Sequence, residues 1–341
     1  MYKTPIPQKK YTKLPHSAFP AEKFSSRALQ RTQICYNNIL CRQTQKGVCF
    51  MVKIITDSIC DLDPHYLAPY NVDMMPLRVR LGEKEYLDKV DIDYLDVCRA
   101  MEQGTVPKST QVPADIMSDT FEKYAAAGQD FIYVAFSSVL SGCCSLAEMM
   151  TTELRERYPN VRMGVINSKA GAGGMGLIVL QLAHMAKAGA SFEKLIAHGA
   201  YLSEHIVHMI ALRDLKWLVL GGRINKLLGA AAGALDVRPL VHIDKEGYLK
   251  AFGTARGQKR MVQTICDKAL EKLKTFPEQL VAVCYTYEQE PCHQAIAYLK
   301  EKLPQIKIVL QPVGSVLTTY LGLSGVGILF FDERPQEYYF D

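Results

Sequence analysis

No apolar run in this 341-residue sequence reaches the roughly 18 residues that a membrane-spanning helix requires. No Cys-x-x-Cys pair occurs, which argues against a structural zinc site built on that spacing. The sequence also has no Gly-x-Ser-x-Gly elbow and no phosphate-binding P-loop, so it advertises no nucleophile–base machinery. No internal repeat is visible. Its 10 cysteines are scattered, with one adjacent pair at Cys143-Cys144, and do not form the framework of a disulfide-stapled secreted domain. They fit a reducing cytoplasm.

What is present is an ordinary globular composition, 48% hydrophobic and 22% charged, long enough for one large or two medium domains. The net charge of +5 is misleading, because residues 1–50 carry nine Lys/Arg against Glu22 alone, and the other 291 residues sum to −3. That leader contains Pro5, Pro7, Pro15 and Pro20 and lacks the continuous apolar stretch of a secretory signal. A transit peptide and a nucleic-acid-binding arm stay open for it. The expectation is a basic extension, disordered or belonging to a start codon placed too early, with Met51 opening the folded part.

From Met51 onward strands and helices alternate. A short strand at 52–55 ends in Thr56-Asp57-Ser58, and Asp63-Pro64 reads as a helix cap with proline in the first turn. A single strand is expected over 72–81, a helix over 91–101, a connecting loop at 107–111 and a helix from Pro113 to about Ala127. The run Phe131–Phe136 then stops at Ser137-Ser138-Val139-Leu140-Ser141-Gly142, and a helix begins at Cys143. Strand 161–166 and helices 175–188 and 192–203 complete an α/β pattern of parallel strands, with ligands expected at their C-terminal ends. Strand 206–212 follows, and from Trp217 the texture changes to a Gly221-Gly222-Arg223 turn, an Ala/Gly-rich stretch at 227–235 and a hairpin of 239–243 with 248–252. Helices at 258–275 and 291–303 and strands at 280–285, 306–311 and 326–331 make this half α+β. The domain division expected is 1–50, 51–205 and 206–341.

Hydroxyl clusters recur after strands: Thr56-Asp57-Ser58, Ser137-Ser138 with Ser141, and Asn167-Ser168, with Ser109-Thr110 in a loop. A strand, a hydroxyl-rich loop and a helix N-terminus together collect donors that suit a carboxylate or a phosphate. Plain helix capping is the alternative. Gly171-Ala172-Gly173-Gly174-Met175-Gly176 matches the dinucleotide-binding pattern, but a second helix stands where that pattern needs a strand ending in an acid. Close backbone packing is the better reading, and a nucleotide-dependent small-molecule enzyme is the rival. His198, His205 and His208 lack spaced partners for a metal and read as surface or half-buried residues. Cys143-Cys144 at a helix start lacks a marked histidine base. Between Lys216 and Arg260 nine Lys/Arg face three acids. Arg223 and Arg256, next to glycines in loops, are the residues of that region suited to phosphate or to a partner's carboxylates.

The blocks K-I-I-T-D-S at 53–58, S-S-V-L-S-G at 137–142, L-G-G-R-I at 220–224, A-L-D-V-R-P-L at 234–240 and A-R-G at 255–257 together resemble the DegV family of fatty-acid-binding proteins over 51–331. The resemblance implies a Rossmann-like parallel-sheet domain, an α+β domain and a lipid tunnel between them. It implies a non-enzymatic carrier of one long-chain, palmitate-like fatty acid, with no cofactor, metal or nucleic acid and at most transient membrane contact. Related proteins present the acid to a fatty acid kinase subunit. On this resemblance Ser109, Thr110, Ser137, Ser138, Ser141 and Gly142 hold the carboxylate, supported by Asp57, Ser58, Asn167, Ser168 and Tyr320. Arg223 and Arg256 meet phosphate or the partner. Five positions depart from the family pattern at this end, among them Cys143 for a threonine and Tyr320 for a histidine, as in a divergent regulatory or interaction paralogue.

Overall fold

A computed structural model describes residues 51–224 and 236–340. The leader 1–50, the stretch 225–235 with the Ala/Gly-rich expectation at 227–235, and Asp341 therefore lie outside the described residues.

Strand β1 (Lys53–Asp57) is followed by the short helix α1 (Pro64–Leu67), whose first turn is capped as expected, with the Asp63 carboxylate accepting from the His65 amide at 2.8 Å. The single strand expected over 72–81 is two strands in different sheets, β2 (Asp73–Met75) and β3 (Arg78–Leu81). Pro76 separates them, because proline offers no amide to a ladder. β4 (Lys84–Leu87) turns back on β3, and α2 (Tyr94–Glu102) starts from an Asp93/Asp96 capping box. The expected loop at 107–111 contains β5 (Lys108–Thr110), which pairs with β3 so that Ser109 stands opposite Val79. Then come α3 (Ala114–Ala126), β6 (Phe131–Ala135), α4 (Cys143–Arg157), β7 (Met163–Asn167), α5 (Ala172–Lys187) and α6 (Phe192–His205). The parallel sheet has the order β2-β1-β6-β7, and β3, β4 and β5 form a small antiparallel sheet beside it.

The second half begins with β8 (Ile206–Leu212) and α7 (Lys216–Leu220). It continues through the hairpin β9 (Val237–Ile243) and β10 (Leu249–Arg256), α8 (Gln258–Leu273), β11 (Leu280–Tyr285), α9 (Glu290–Lys302) and β12 (Lys307–Pro312). Helix α10 (Ser315–Leu321) and strand β13 (Gly325–Phe331) close the chain. These strands form one mixed sheet of order β10-β9-β8-β13-β11-β12. The sequence reading places nothing between Gln311 and Val326, and α10 is what it missed. Its β-branched Val316, Thr318 and Thr319 are poor local helix signals. Its start is held from a distance, with the Asp88 carboxylate accepting from the Ser315 amide at 3.2 Å.

Alternation along the mixed-sheet strands divides two cores. Met209, Ala211, Val281, Val283, Ile328 and Phe330 face outward against α8 and α9. Ile210, Leu212, Ala282, Cys284 and Leu329 face inward and join the core that also holds the parallel sheet and α5. Among the described residues no helix is long and apolar enough to cross a membrane.

Candidate functional site

The inward face of the mixed sheet does not close completely onto the parallel half. Gly325 and Gly327 lie on the central strand β13, paired with Leu212 and Ile210 of β8, and Gly327 also pairs with Cys284 of β11. Two residues without side chains in mid-sheet leave a groove. Over it stand Ile59, Phe136 and Gly171, from the loops that follow β1, β6 and β7, and Val316, Leu317 and Leu321 of α10. The cavity has a volume of about 210 Å³. That is many times the roughly 10–15 Å³ needed to hold a single water.

One end of this apolar space is polar. Ser109, Thr110, Gln111, Ser141, Gly142, Arg223 and Tyr320 line it together. The Ser109 hydroxyl and the Tyr320 phenol are 2.7 Å apart. The Arg223 guanidinium lies 4.8 Å from the centre of the Tyr320 ring, close enough for a cation–π contact. It donates to the Gly221 carbonyl at 2.7 Å and to the Leu140 carbonyl at 3.3 Å. A Cβ on Gly142 would come within 2.2 Å of Gln111 Oε1, so the missing side chain is what lets that amide lie across the loop. Arg223 and Ser141 also line an open cleft shared with Ser138, Tyr248 and Lys250, so the polar end leads to the surface through a basic mouth.

The carboxylate-binding set therefore divides. Ser109, Thr110, Ser141 and Gly142 reach the cavity, joined by Tyr320 and Arg223. Ser138 lines only the outer cleft, where its amide and hydroxyl are both bonded to the Asn167 side chain. Ser137 is fully buried and donates to the Gly247 carbonyl at the tip of the β9–β10 hairpin, 2.9 Å away. Ser58 accepts from the Leu77 amide, and Ser168 bonds within its own turn to Ala170. Asp57 accepts from the Ile59 amide, the Tyr133 hydroxyl and the Phe136 amide, fastening the end of β1 to β6. Burial raises its carboxyl to a pKa of about 6, and those three hydrogen bonds oppose the rise. Arg256 is an exposed residue on β10 that lines neither the cavity nor the cleft.

Cys143 does not line the cavity. Its sulfur accepts from the Val112 amide at 3.4 Å and from the Ser141 hydroxyl at 3.3 Å, so it ties the 109–112 segment to the start of α4. Burial pushes its thiol up to about 11, far from a reactive thiolate. Beyond Gly171 and Ala172, which line the cavity, the glycine run 171–176 is filled by protein. A Cβ on Gly173 would lie 2.7 Å from Ala282 Cβ, and one on Gly176 would lie 2.5 Å from Leu62 Cβ. That is close helix packing, with no face left for a pyrophosphate. Among the three histidines His208 departs from expectation, being 2% exposed and part of the cavity lining. Gln111, His208 and Thr286 are lining residues that the sequence reading left out of the site. For Gln111 the signal was its place directly after Ser109-Thr110. For His208 only the strand register reveals it, and for Thr286 only its approach to Gly325.

Residues 51–333 match the family model described as "Uncharacterised protein, DegV family". Among curated relatives, a DegV domain-containing protein of Clostridium perfringens is 24% identical over 285 residues, covering 83% of this chain and 98% of its own length. The solved stearic-acid-binding protein from Eubacterium ventriosum is 26% identical with a TM-score of 0.74, covering 82% of this chain and 97% of that one. The fatty acid kinase B3 protein of Streptococcus pneumoniae, solved with linoleic acid, is 22% identical with a TM-score of 0.73, covering 83% and 100%.

Proposed function

The chain belongs to the DegV family, and from that premise we propose that it binds one long-chain fatty acid in its cavity and carries it without transforming it. The observation that carries this reading is the cavity itself, an apolar groove over Gly325 and Gly327 that ends in a cluster of donors. Burying each CH₂ is worth about 0.8 kcal/mol, so a chain of fifteen or so gains on the order of 10 kcal/mol before the costs of association. The carboxylate then needs only to avoid a penalty. Ser109, Thr110, Gln111, Ser141 and Tyr320 supply neutral donors for it, and Arg223 supplies a cation at the cavity's polar end. We expect a palmitate-like acid, and the bound resemblance between this chain and the stearic-acid-binding protein supports that length class.

Two finer assignments belong to the same reading. The first is presentation of the acid to a kinase partner, supported by the likeness to the kinase B3 protein and by the basic mouth of Arg223 and Lys250. Arg256, exposed and away from the cavity, is assigned to partner contact, so Arg256→Ala is expected to leave lipid affinity intact while impairing any partner-dependent step. The second is the division at 205/206, supported by sheet membership, since every parallel-sheet strand precedes it and every mixed-sheet strand follows it. A cytoplasmic setting is supported by seven buried free cysteines among the described residues. Organic extraction of purified protein followed by mass spectrometry tests the whole proposal. A lipid-free preparation that also fails to take up palmitate or stearate would sink it.

A further inference from the structure

The floor of the cavity is apolar except at two corners. Strand register sets His208 beside Leu329 on one row and Leu212 beside Gly325 four residues further on, where the Thr286 methyl would lie 3.7 Å from a Cβ on Gly325. Both His208 and Thr286 line the cavity, at 2% and 1% exposure. Each keeps a buried polar atom that finds no hydrogen-bond partner among the described residues, Nδ1 of His208 and Oγ1 of Thr286. Buried polar groups nearly always find partners, and one left unmet costs stability. A plain alkyl chain passing over this floor would leave both unmet.

The chemistry of the missing partner follows from the two groups. Nε2 of His208 lies 3.3 Å from both the amide and the carbonyl of Gly171, so either tautomer finds a bond there. Nδ1 is then an acceptor in one tautomer and a donor in the other. Burial holds the ring neutral in both cases, with a pKa lowered to about 4. The threonine hydroxyl likewise gives and takes. A group that satisfies all of these cases is a hydroxyl. We infer that this cavity selects a hydroxylated long-chain fatty acid, its chain oxygen meeting His208 or Thr286. The inference rests on the fatty-acid reading above and specifies its ligand. Four residues of strand span about 13 Å, so a single hydroxyl meets one corner and its position along the chain decides which.

The test is calorimetric titration of the delipidated full-length protein with stearic acid and with mono-hydroxystearic acids substituted near the carboxylate, at mid-chain and near the methyl end. At least one isomer is expected to bind about tenfold tighter than stearic acid, since a site built for a hydroxyl penalises the analogue lacking it. His208→Phe or Thr286→Val, whichever removes the corner that the hydroxyl meets, should bring that ratio close to one. His208→Phe also gives up the Gly171 contact, so the near-isosteric Thr286→Val and the positional panel keep the test decisive if that variant does not fold. Stearic acid binding at least as tightly as every isomer would overturn the inference while leaving the carrier reading intact. So would a preference that survives both substitutions. Failure of all the acids to bind would remove the carrier reading, and this inference with it.

Discussion

Two sets of small polar side chains sit at the same edge of this molecule and have opposite fates. Asp57, Ser58, Ser137, Asn167 and Ser168, at or just after the ends of the parallel strands, spend their hydrogen bonds on neighbouring amides, carbonyls and hydroxyls. Ser109, Ser141, Tyr320 and Arg223 stand in loops, an edge strand and a short helix, and they line the cavity. Residue type does not separate the two sets, since serine occurs in both. What separates them is whether protein already occupies the space in front of the side chain. A strand end buried between two sheets must satisfy its polar groups internally. An edge strand such as β5 has one side free to face a ligand.

The sharpest way to break this division is Asp57→Ala. It would orphan the Tyr133 hydroxyl and the amides of Ile59 and Phe136 in the core, at a cost of about 3–5 kcal/mol. Urea unfolding should show that loss, while the molecules that remain folded bind palmitate with unchanged affinity. A stable variant that had lost lipid binding would put Asp57 back in the head-group site.

The same carboxylate makes a pH prediction. Folded, it keeps its proton up to about pH 6, against an ordinary value of 3.8. The native state therefore binds more protons than the unfolded state in that window. This contribution is fully present below the ordinary value and is lost as pH rises through about 6. Its size is on the order of 2–3 kcal/mol. Asp57→Asn should flatten the corresponding fall in unfolding free energy between pH 4 and pH 6, and an unchanged slope would assign the dependence to other groups.

On the cavity side the effects reverse. Tyr320→Phe removes the hydroxyl that meets Ser109 and should weaken fatty acid binding about tenfold in a fluorescence displacement assay, with apo stability lowered by less than about 1 kcal/mol. A large loss of apo stability with unchanged affinity would show Tyr320 to be a brace. Smallest of all is Cys143→Thr, which restores the residue expected in the family. The cysteine sulfur already accepts from Val112 and Ser141, so affinity should shift by less than about threefold. In the wild-type protein, alkylation of this buried thiol should be slow at neutral pH, as read by mass spectrometry of labelled peptides.

Much of the architecture was legible from the residues. Runs such as Phe131–Ala135 and Leu280–Tyr285 announce buried strands by apolar continuity, and the Asp63-Pro64 cap and the hairpin around Asp244–Gly247 announce themselves by turn chemistry. The site was half legible. Ser109, Thr110 and Ser141 stood out because hydroxyls gather next to glycine and helix starts, but the same signal marked Ser58, Ser137 and Ser168, which serve the fold. The sequence suits Arg223 to phosphate or a partner, and the structure sets it against Tyr320 at the polar end of the cavity.

Local sequence was enough for most of the order of strands and helices, for the parallel sheet of the first half and for the pool of polar residues from which a site could be drawn. These follow from local rules of periodicity, capping and turn geometry that act over a few residues. Only the tertiary structure decided which members of that pool face a cavity. The contact between Ser109 and Tyr320 spans 211 residues, and the floor of the cavity depends on β13 pairing with β8 and β11. Those meetings are set by the stacking of one sheet against the other, a long-range outcome of burying apolar surface that no short stretch of chain records.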